Sequence, residues 1–118
     1  MEYTFDINNR AFNAIKNDKK RVEIRATKTG LGHFDYSILK SNDYINFMSY
    51  DKEKIKCLIK EINWYDSIEK LLMLEGTRYT LSSTDDYNEG IKSINSIPGY
   101  KDAIKNNGVY SIHIECLK

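Results

Sequence analysis

Strict alternation of apolar and polar residues in two distant segments is the feature that most limits what this chain can fold into. In residues 20–26, apolar side chains occupy every second position and alternate with Arg21, Glu23 and Arg25. Residues 109–117 show the same period near the other end of the chain. A period of two indicates β-strands, because successive side chains of a strand point to opposite faces. We therefore expect a strand near each end of the chain.

Further strands and capped helices lie between these two segments. Residues 44–48 and 55–59 look like successive antiparallel strands joined by a turn around Asp51-Lys52. Short helices are predicted after the capping residues Asn8, Asp66 and Thr84, and residues 100–107 add a last turn or two. Strands with inserted helices but no regular βαβ alternation favour an α+β fold. We expect a small β-barrel of about five to six mostly antiparallel strands with three to four short helices packed around it.

Length and composition indicate a single globular domain spanning residues 1–118. Charged residues make up 30% of the chain and hydrophobic residues 41%, and no repeat or low-complexity tract suggests a linker. The chain lacks the apolar run of roughly 20 residues that a membrane helix requires, and its first residues do not resemble a signal peptide. We therefore predict a cytoplasmic protein with no membrane partner. Cys57 and Cys116 lie in strand-like segments and are expected to be reduced core residues.

Charge is distributed unevenly along the chain, although the net charge is only +1. That small net charge argues against a broad surface for polyanions. Residues 16–28 nevertheless contain six basic side chains and two acidic ones. An anion site is therefore expected near this segment, with a solvated and charged strand edge as the alternative interpretation.

The polar face of the early strand is the first candidate site. Arg21, Glu23 and Arg25 point the same way, with Lys20 at the edge of the strand. If this face lines the mouth of a barrel, Lys20 and Arg25 would donate to a phosphate or a base carbonyl. Glu23 would orient them or accept from an exocyclic amine. The alternative is an exposed strand whose charges form surface salt bridges.

Glu75 is the second candidate, because it lies seven residues after Ile68 on the inward stripe of its helix. A buried carboxylate needs a partner, and a cation from the early strand would supply it. A lysine such as Lys20 beside this carboxylate would be one way to build a general base. The alternative is a glutamate at the end of the helix that reaches solvent.

Aromatic residues are abundant, whereas the histidines are isolated. Nine tyrosines and four phenylalanines offer faces on which bases stack, and Tyr65 and Tyr100 are expected at the rim of a pocket. His33 and His113 have no Cys, Asp or Glu partner at the spacing of a metal site, so neither a metal nor another cofactor is predicted. The sequence also lacks the GxSxG motif of covalent hydrolases.

The order of these segments resembles the ASCH family. The family pattern is a short helix, a Gly-x-Lys-x-x-Glu-x-Arg strand entry and an Ile-Lys-x-Gly-Asp-x-Ile-x-Phe turn and strand. Residues 18–25 here read Asp-Lys-Lys-Arg-Val-Glu-Ile-Arg, and residues 39–47 read Leu-Lys-Ser-Asn-Asp-Tyr-Ile-Asn-Phe. The family's later Tyr-x-Ser-hydrophobic-Glu helix matches residues 65–69, and its tyrosine followed by Gly-Val and a strand matches Tyr100 and residues 108–112. Asp18 and Asn42 stand where the family has glycine.

This resemblance implies a PUA-like barrel with a cleft between barrel and helices that receives RNA or a nucleotide. Lys20, Glu23 and Arg25 would line that cleft. Some members hydrolyse acetylcytidine with a lysine, a threonine and a glutamate, and at least one other member is a ribonuclease. Lys20 matches the lysine, but Glu23 stands at the threonine position. Glu75 is a plausible counterpart of the glutamate, with Glu69 as the alternative.

The leading prediction is therefore an RNA- or nucleotide-binding module. The residues expected to bind are Lys20, Arg21, Glu23, Arg25, Tyr65, Ser67 and Tyr100. The alternative is a metal-independent hydrolase of a modified nucleoside or of single-stranded RNA, with Lys20, Glu23 and Glu75 as its catalytic residues. A protein-interaction domain is the third hypothesis, and an exposed polar strand face without a cleft above it would favour that one.

Overall fold

The computed structural model describes residues 1–117. These residues form five β-strands, four α-helices and one short 3-10 helix. In chain order they are β1 (Glu2–Asp6), α1 (Asn9–Lys16), β2 (Val22–Arg25), the 3-10 helix (Tyr36–Ile38), β3 (Tyr44–Met48), β4 (Lys54–Tyr65), α2 (Ile68–Glu75), α3 (Tyr87–Asn95), α4 (Tyr100–Asn107) and β5 (Val109–Leu117). None of the helices in this part of the chain is long and apolar enough to cross a membrane.

A single five-stranded sheet, in the order β1-β3-β4-β5-β2, organises the fold. Three of its four strand pairings are antiparallel, and only β1 pairs with β3 in parallel. The sheet curls into a half-barrel and carries the helices, which confirms the predicted α+β fold and is consistent with a small PUA-like barrel. β1 and β2 are the two edge strands, so the half-barrel has an open seam between them.

Two strands differ from the sequence-based prediction. β1 was not predicted, although Tyr3 and Phe5 alternate with polar residues, because the segment is short and lies at the terminus. β4 continues well beyond the predicted residues 55–59 as far as Tyr65, with an irregularity in the pairing between Ile59 and Glu61. That irregularity interrupts the simple alternation on which the prediction depended.

Side-chain caps determine where the helices begin. Asn8 accepts a hydrogen bond from the amide three residues later at 2.8 Å, as predicted. α2 is capped by Ser67 and not by Asp66, because the Ser67 hydroxyl is the group that accepts from the first turn. α3 is capped by Asp86 and not by the predicted Thr84, whose hydroxyl accepts from the Asp86 amide just outside the helix.

The apolar core consists of two clusters. The first packs α1 against β1, β3, β4 and β5, with Phe12 and Phe47 among its most buried side chains. The second packs α2, α3 and α4 against β2 and the start of β5, with Leu71 and Val109 fully buried. Helix α1 therefore belongs to a different cluster from the other three helices, which leaves room for a cleft between them.

The two cysteines lie opposite each other on β4 and β5. Both thiols are free, as predicted. Cys57 is completely buried, whereas Cys116 is half-buried at the edge of the first apolar cluster. Burial, assisted by the neighbouring Cys116, raises the pKa of Cys57 to about 12. The Cys57 thiol is therefore neutral and packs as a small apolar group.

Candidate functional site

A cleft of about 410 Å³ opens between β2, α1, α3 and the start of α4. Lys20, Glu23, Arg25 and Tyr100 from the predicted site are among its lining residues. Lys20 is 5% exposed and Glu23 is 7% exposed, so the expectation of a fully exposed, salt-bridged strand is wrong. The cleft volume falls in the roughly 300–1,000 Å³ range of small-molecule sites.

Lys20 lies just before β2, and its ammonium group is fully occupied. Nζ donates to the carbonyl oxygens of Val22 at 2.7 Å and Thr80 at 2.5 Å. It also lies 3.4 Å from Oε1 of Glu23. Since an ammonium group has three N–H donors, these three acceptors satisfy it. Burial lowers the pKa of Lys20, and the nearby Glu23 carboxylate only partly offsets this effect.

Glu23 joins Lys20 to Arg25, and we call these three residues the cleft cluster. Nε and Nη2 of Arg25 both lie 2.8 Å from Oε2 of Glu23. Burial alone would raise the pKa of Glu23, but the positive charges of Arg25 and Lys20 outweigh it and hold the pKa below its usual range. Burial likewise opposes the charge of Arg25, yet Glu23 keeps its pKa raised. The cluster thus contains two cations and one carboxylate with little solvent around them.

Arg25 also bridges the open seam of the half-barrel. Its Nη2 donates to the carbonyl oxygen of Asp6, at the end of β1, at 3.1 Å. Its guanidinium carbon lies 5.4 Å from the centre of the Phe5 ring and 5.9 Å from that of Tyr36. Nη1 donates a long hydrogen bond of 3.4 Å to the Tyr36 hydroxyl. These contacts leave one of the two Nη1 hydrogens without a partner among residues 1–117, and it remains a donor for a ligand.

Tyr100 lies at the start of α4 and is only 8% exposed. Burial raises its pKa to about 12, although the charge of Arg25 acts in the opposite direction. Its ring is 5.9 Å from the Nζ of Lys28. A neutral aromatic ring of this kind contributes a π-face and an apolar surface to the lining.

Several residues of the cleft were not predicted. They come from four separate segments and share no spacing that could have marked them in the sequence. Beside the cleft cluster and Tyr100, the lining includes Asp6, Arg10, Tyr50, Thr80, Ser82, Ser83, Ser93 and Ser96. Only the tertiary fold brings these segments together.

Arg21 lies outside the cleft, contrary to the expectation that it shares a face with Glu23 and Arg25. It precedes the first residue of β2, and its exposed guanidinium lies 4.5 Å from the centre of the Tyr79 ring. Its amide donates to the Tyr79 carbonyl at 2.8 Å. The alternation rule holds only within the strand, and Arg21 falls one residue before it.

A second buried carboxylate, Glu75, has an entirely different set of partners. Its Oε2 accepts from the hydroxyl of Ser111 at 2.6 Å, the hydroxyl of Tyr65 at 2.8 Å and the amide of Asn63 at 3.2 Å. Its Oε1 lies 2.9 Å from Nε2 of His113, a contact that is short but not aligned as a hydrogen bond. We call these five residues the Glu75 cluster. Burial alone would raise the pKa of Glu75, but these partners outweigh it and lower the pKa.

The Glu75 cluster corrects three expectations. No cation of β2 contacts Glu75, because α2 packs its C-terminal end over β4 and β5 instead. Tyr65 lies outside the cleft lining and donates its hydroxyl to Glu75, and burial together with that hydrogen bond raises its pKa to about 12. Ser67 also lies outside the lining, where it caps α2. Glu69, the alternative carboxylate, is exposed in the first turn of α2.

No group of three or more metal-ligating side chains occurs among residues 1–117. The contact between His113 and Glu75 was not predicted, since the two residues are far apart in sequence. It supplies a pair of ligand atoms, which is fewer than the three protein ligands of a catalytic zinc site. The lining of the cleft offers fixed hydrogen-bond donors, carboxylates and an aromatic ring.

Comparison with known proteins yields structural neighbours only. No family model matches the sequence, and no curated protein is significantly similar to it. The fold is similar to the crystal structure of hypothetical protein PH0355, with a TM-score of 0.80 and 24% identity over 99% of this chain and 100% of that one. It is also similar to the solution NMR structure of protein PF0455 from Pyrococcus furiosus, with a TM-score of 0.75 and 28% identity over 100% and 99% of the two chains. The half-barrel with its helices is therefore a fold shared with solved proteins whose names state no function.

Proposed function

We propose that this chain is an RNA- or nucleotide-binding ASCH domain whose ligand enters the cleft between the half-barrel and its helices. The observation that carries the proposal is the cleft cluster itself. The buried Lys20 and Glu23 and the half-buried Arg25 lie at the wall of a cavity of about 410 Å³. Buried charges in proteins are ordinarily paired, so an unequal cluster beside an open cavity favours an anionic or strongly polar ligand.

Two backbone positions support the resemblance to the ASCH family. Asp18 has a φ of 60° and Asn42 has a φ of 75°. Both residues stand where the family has glycine, which adopts positive φ at no steric cost. Asp and Asn are the residues that tolerate this conformation best after glycine. The two departures from the family pattern therefore preserve the backbone shape that the glycines provide.

Within the cleft we assign direct contacts to Arg25, Glu23 and Tyr100. Arg25 supplies its remaining N–H to a carbonyl or phosphate oxygen, and Glu23 accepts from an exocyclic amine through a free lone pair. Tyr100 provides a ring against which a base can pack. Lys20 acts indirectly, because its three donors already hold Glu23 and the backbone of residues 22 and 80.

The local nature of the charge also defines the expected binding mode. The net charge of the chain is only +1, so a broad electrostatic footprint for nucleic acid is absent. We expect a short ligand or a single splayed nucleotide of an RNA strand, with weak dependence on salt. Free thiols at Cys57 and Cys116 fit the reducing cytoplasm in which such a ligand is found.

The test compares nucleoside and short single-stranded RNA binding in wild type, Arg25→Gln and the matched control Arg21→Gln. Arg25→Gln should weaken binding by about tenfold or more, because a charged hydrogen bond in a desolvated site is lost. Arg21→Gln should leave the dissociation constant unchanged, since Arg21 lies outside the cleft. Circular dichroism verifies that both variants fold. If all three proteins bind the nucleosides and the RNA with equal affinity, the assignment of the ligand site to the cleft is wrong.

Hydrolysis of a modified nucleoside or of single-stranded RNA is the second candidate function. The observation that favours it is the Glu23 carboxylate on the wall of the cleft, held in place by Lys20 and Arg25, because a positioned carboxylate can act as a general base toward water. We expect release of acetate from acetylcytidine, or cleavage of single-stranded RNA, in wild type and loss of that activity in folded Glu23→Gln protein, whose amide cannot accept the proton. If wild type binds the ligand but forms no product, the hydrolase is rejected and only the binding function remains.

A further inference from the structure

The outer end of the cleft has a chemistry different from that of the cleft cluster. Arg10 is exposed on α1, and Nε donates to Oγ of Ser82 at 3.3 Å. No carboxylate of residues 1–117 lies within 4.0 Å of its guanidinium group, and its two Nη groups have no hydrogen-bond partner in that part of the chain. Arg10 is therefore a cation of the cleft lining that lacks an ion-pair partner.

Serine hydroxyls surround this end of the cleft. Ser82, Ser83, Ser93 and Ser96 all line it, from the loop before α3 and from α3 and its C-cap. Oγ of Ser83 lies 3.2 Å from Oγ of Ser93, so two segments present hydroxyls at one place. A hydroxyl can donate to an anionic oxygen and rotate to suit it.

One short segment connects the two ends. Thr80 is 1% exposed and its carbonyl oxygen accepts from Lys20 at the inner end of the cleft. Ser82, two residues later, is half-buried and contacts Arg10, and Ser83 is exposed at the rim. Residues 80–83 thus run from the buried cleft cluster to the Arg10 end within one cavity.

We infer that the cleft takes a phosphorylated nucleoside, with the base at the cleft cluster and the phosphate at Arg10 and the serine hydroxyls. This inference rests on the proposed nucleotide-binding function and deepens it. A guanidinium group with unoccupied Nη donors binds phosphate oxygens in a bidentate manner, and hydroxyls add further donors. The cleft lining contains three cations, Arg10, Lys20 and Arg25, against the carboxylates of Asp6 and Glu23. That excess of positive charge favours an anionic ligand over a neutral nucleoside.

The test is titration calorimetry with the four ribonucleosides and their 5′-monophosphates, on wild type, Arg10→Gln and the matched control Arg78→Gln. Arg78 is exposed and stacks on Tyr79, away from the cleft lining. In wild type the preferred monophosphate should bind about tenfold or more tightly than its nucleoside, given the strength of charged hydrogen bonds. Arg10→Gln should abolish this difference while nucleoside affinity stays the same. Arg78→Gln should preserve both affinities.

A second arm uses 5′-hydroxyl dinucleoside monophosphates, in which the phosphate belongs to an RNA chain. An Arg10-dependent gain with the mononucleotides assigns the site to free nucleotides, and a gain confined to the dinucleotides assigns it to RNA. Either result supports the phosphate site. Nucleosides that bind as tightly as every phosphorylated ligand would overturn this inference and leave the proposed function standing. Absence of binding by all of these ligands would overturn both.

Discussion

The cleft cluster and the Glu75 cluster each bury a carboxylate whose side chain is 9% exposed, yet their surroundings differ. Glu23 is flanked by two full cations and faces a cavity. Glu75 is flanked by the hydroxyl and amide donors of three residues and by one histidine. The first site carries excess positive charge beside a cavity, whereas the second holds its carboxylate with three hydrogen bonds and one short contact to the His113 ring.

This difference teaches that the partners of a buried polar residue, and not its burial alone, decide whether it has interactions left for a ligand. The three hydrogen bonds that Glu75 accepts fix the position of α2 on β4 and β5. A cluster with charge to spare and an open side leaves interactions available to a ligand. The Glu75 cluster is therefore tested by measuring stability, and the cleft cluster by measuring both stability and ligand binding.

The largest effect is expected from Glu23→Gln. Among residues 1–117, this change removes the only carboxylate that either cation of the cleft cluster contacts. Removing one partner of a buried ion cluster costs roughly 3–5 kcal/mol of unfolding free energy. The measurement is urea unfolding followed by circular dichroism.

Glu115→Gln is the matched control, because Glu115 pairs with Lys60 at the surface with side chains 59% and 56% exposed. Its loss of stability should stay below about 1 kcal/mol. A loss that small in Glu23→Gln as well would mean that the cleft cluster is not desolvated, and the contrast between the two sites would fail.

A smaller effect is expected from Glu75→Gln. The amide keeps the shape of the side chain but loses the charged character of its hydrogen bonds, which costs about 1–3 kcal/mol. Glu69→Gln on the exposed side of the same helix should change stability by less than about 0.5 kcal/mol. Nucleoside affinity should be the same in both variants. If folded Glu75→Gln protein binds the ligand more weakly than wild type, the Glu75 cluster contributes to the ligand site and the distinction between the two clusters is wrong.

The smallest effect concerns acid stability. The pKa of Glu75 is lowered in the folded protein, so its contribution is present above the ordinary pKa of an unfolded glutamate, about 4.3, and is lost as the pH falls below it. Glu75→Gln lacks that contribution. Between about pH 6 and pH 3, the unfolding free energy of Glu75→Gln should therefore fall less than that of wild type. The measurement is urea unfolding of both proteins at intervals of about half a pH unit. Parallel curves would show that Glu75 does not titrate below its usual range.

Much of the fold could be predicted from local patterns, because they report local forces. The alternation in residues 20–26 and 109–117 identified β2 and β5, and the Asn8 cap located α1. β1 was not predicted, because its parallel pairing with β3 depends on a partner about 40 residues away in sequence. Asp66 was predicted to cap α2, but Ser67 does so. Both residue types are good caps, so the choice depends on backbone geometry that the sequence does not show.

The site was predictable only in part, and for the same reason. Glu23 and Arg25 are two residues apart in β2, so their proximity followed from the strand period, whereas Lys20 lies just before the strand and contacts Glu23 from its edge. Arg10, Thr80 and the serines reach the cleft only through packing of α1 and α3, which no local pattern encodes. Glu75 was correctly predicted to point inward, but its partners come from β4 and β5 instead of β2.

The most direct test of the contrast between the cleft cluster and the Glu75 cluster is a titration of ¹⁵N-labelled protein with ribonucleoside 5′-monophosphates. The amide chemical shifts are measured at each step. The ligand should shift the amides of residues 20–25 and 80–83 and of Tyr100, which line or adjoin the cleft. The amides of Asn63, Tyr65 and Glu75 should not move. Shifts centred on the Glu75 cluster, with none at the cleft cluster, would contradict the assignment of function to the cleft.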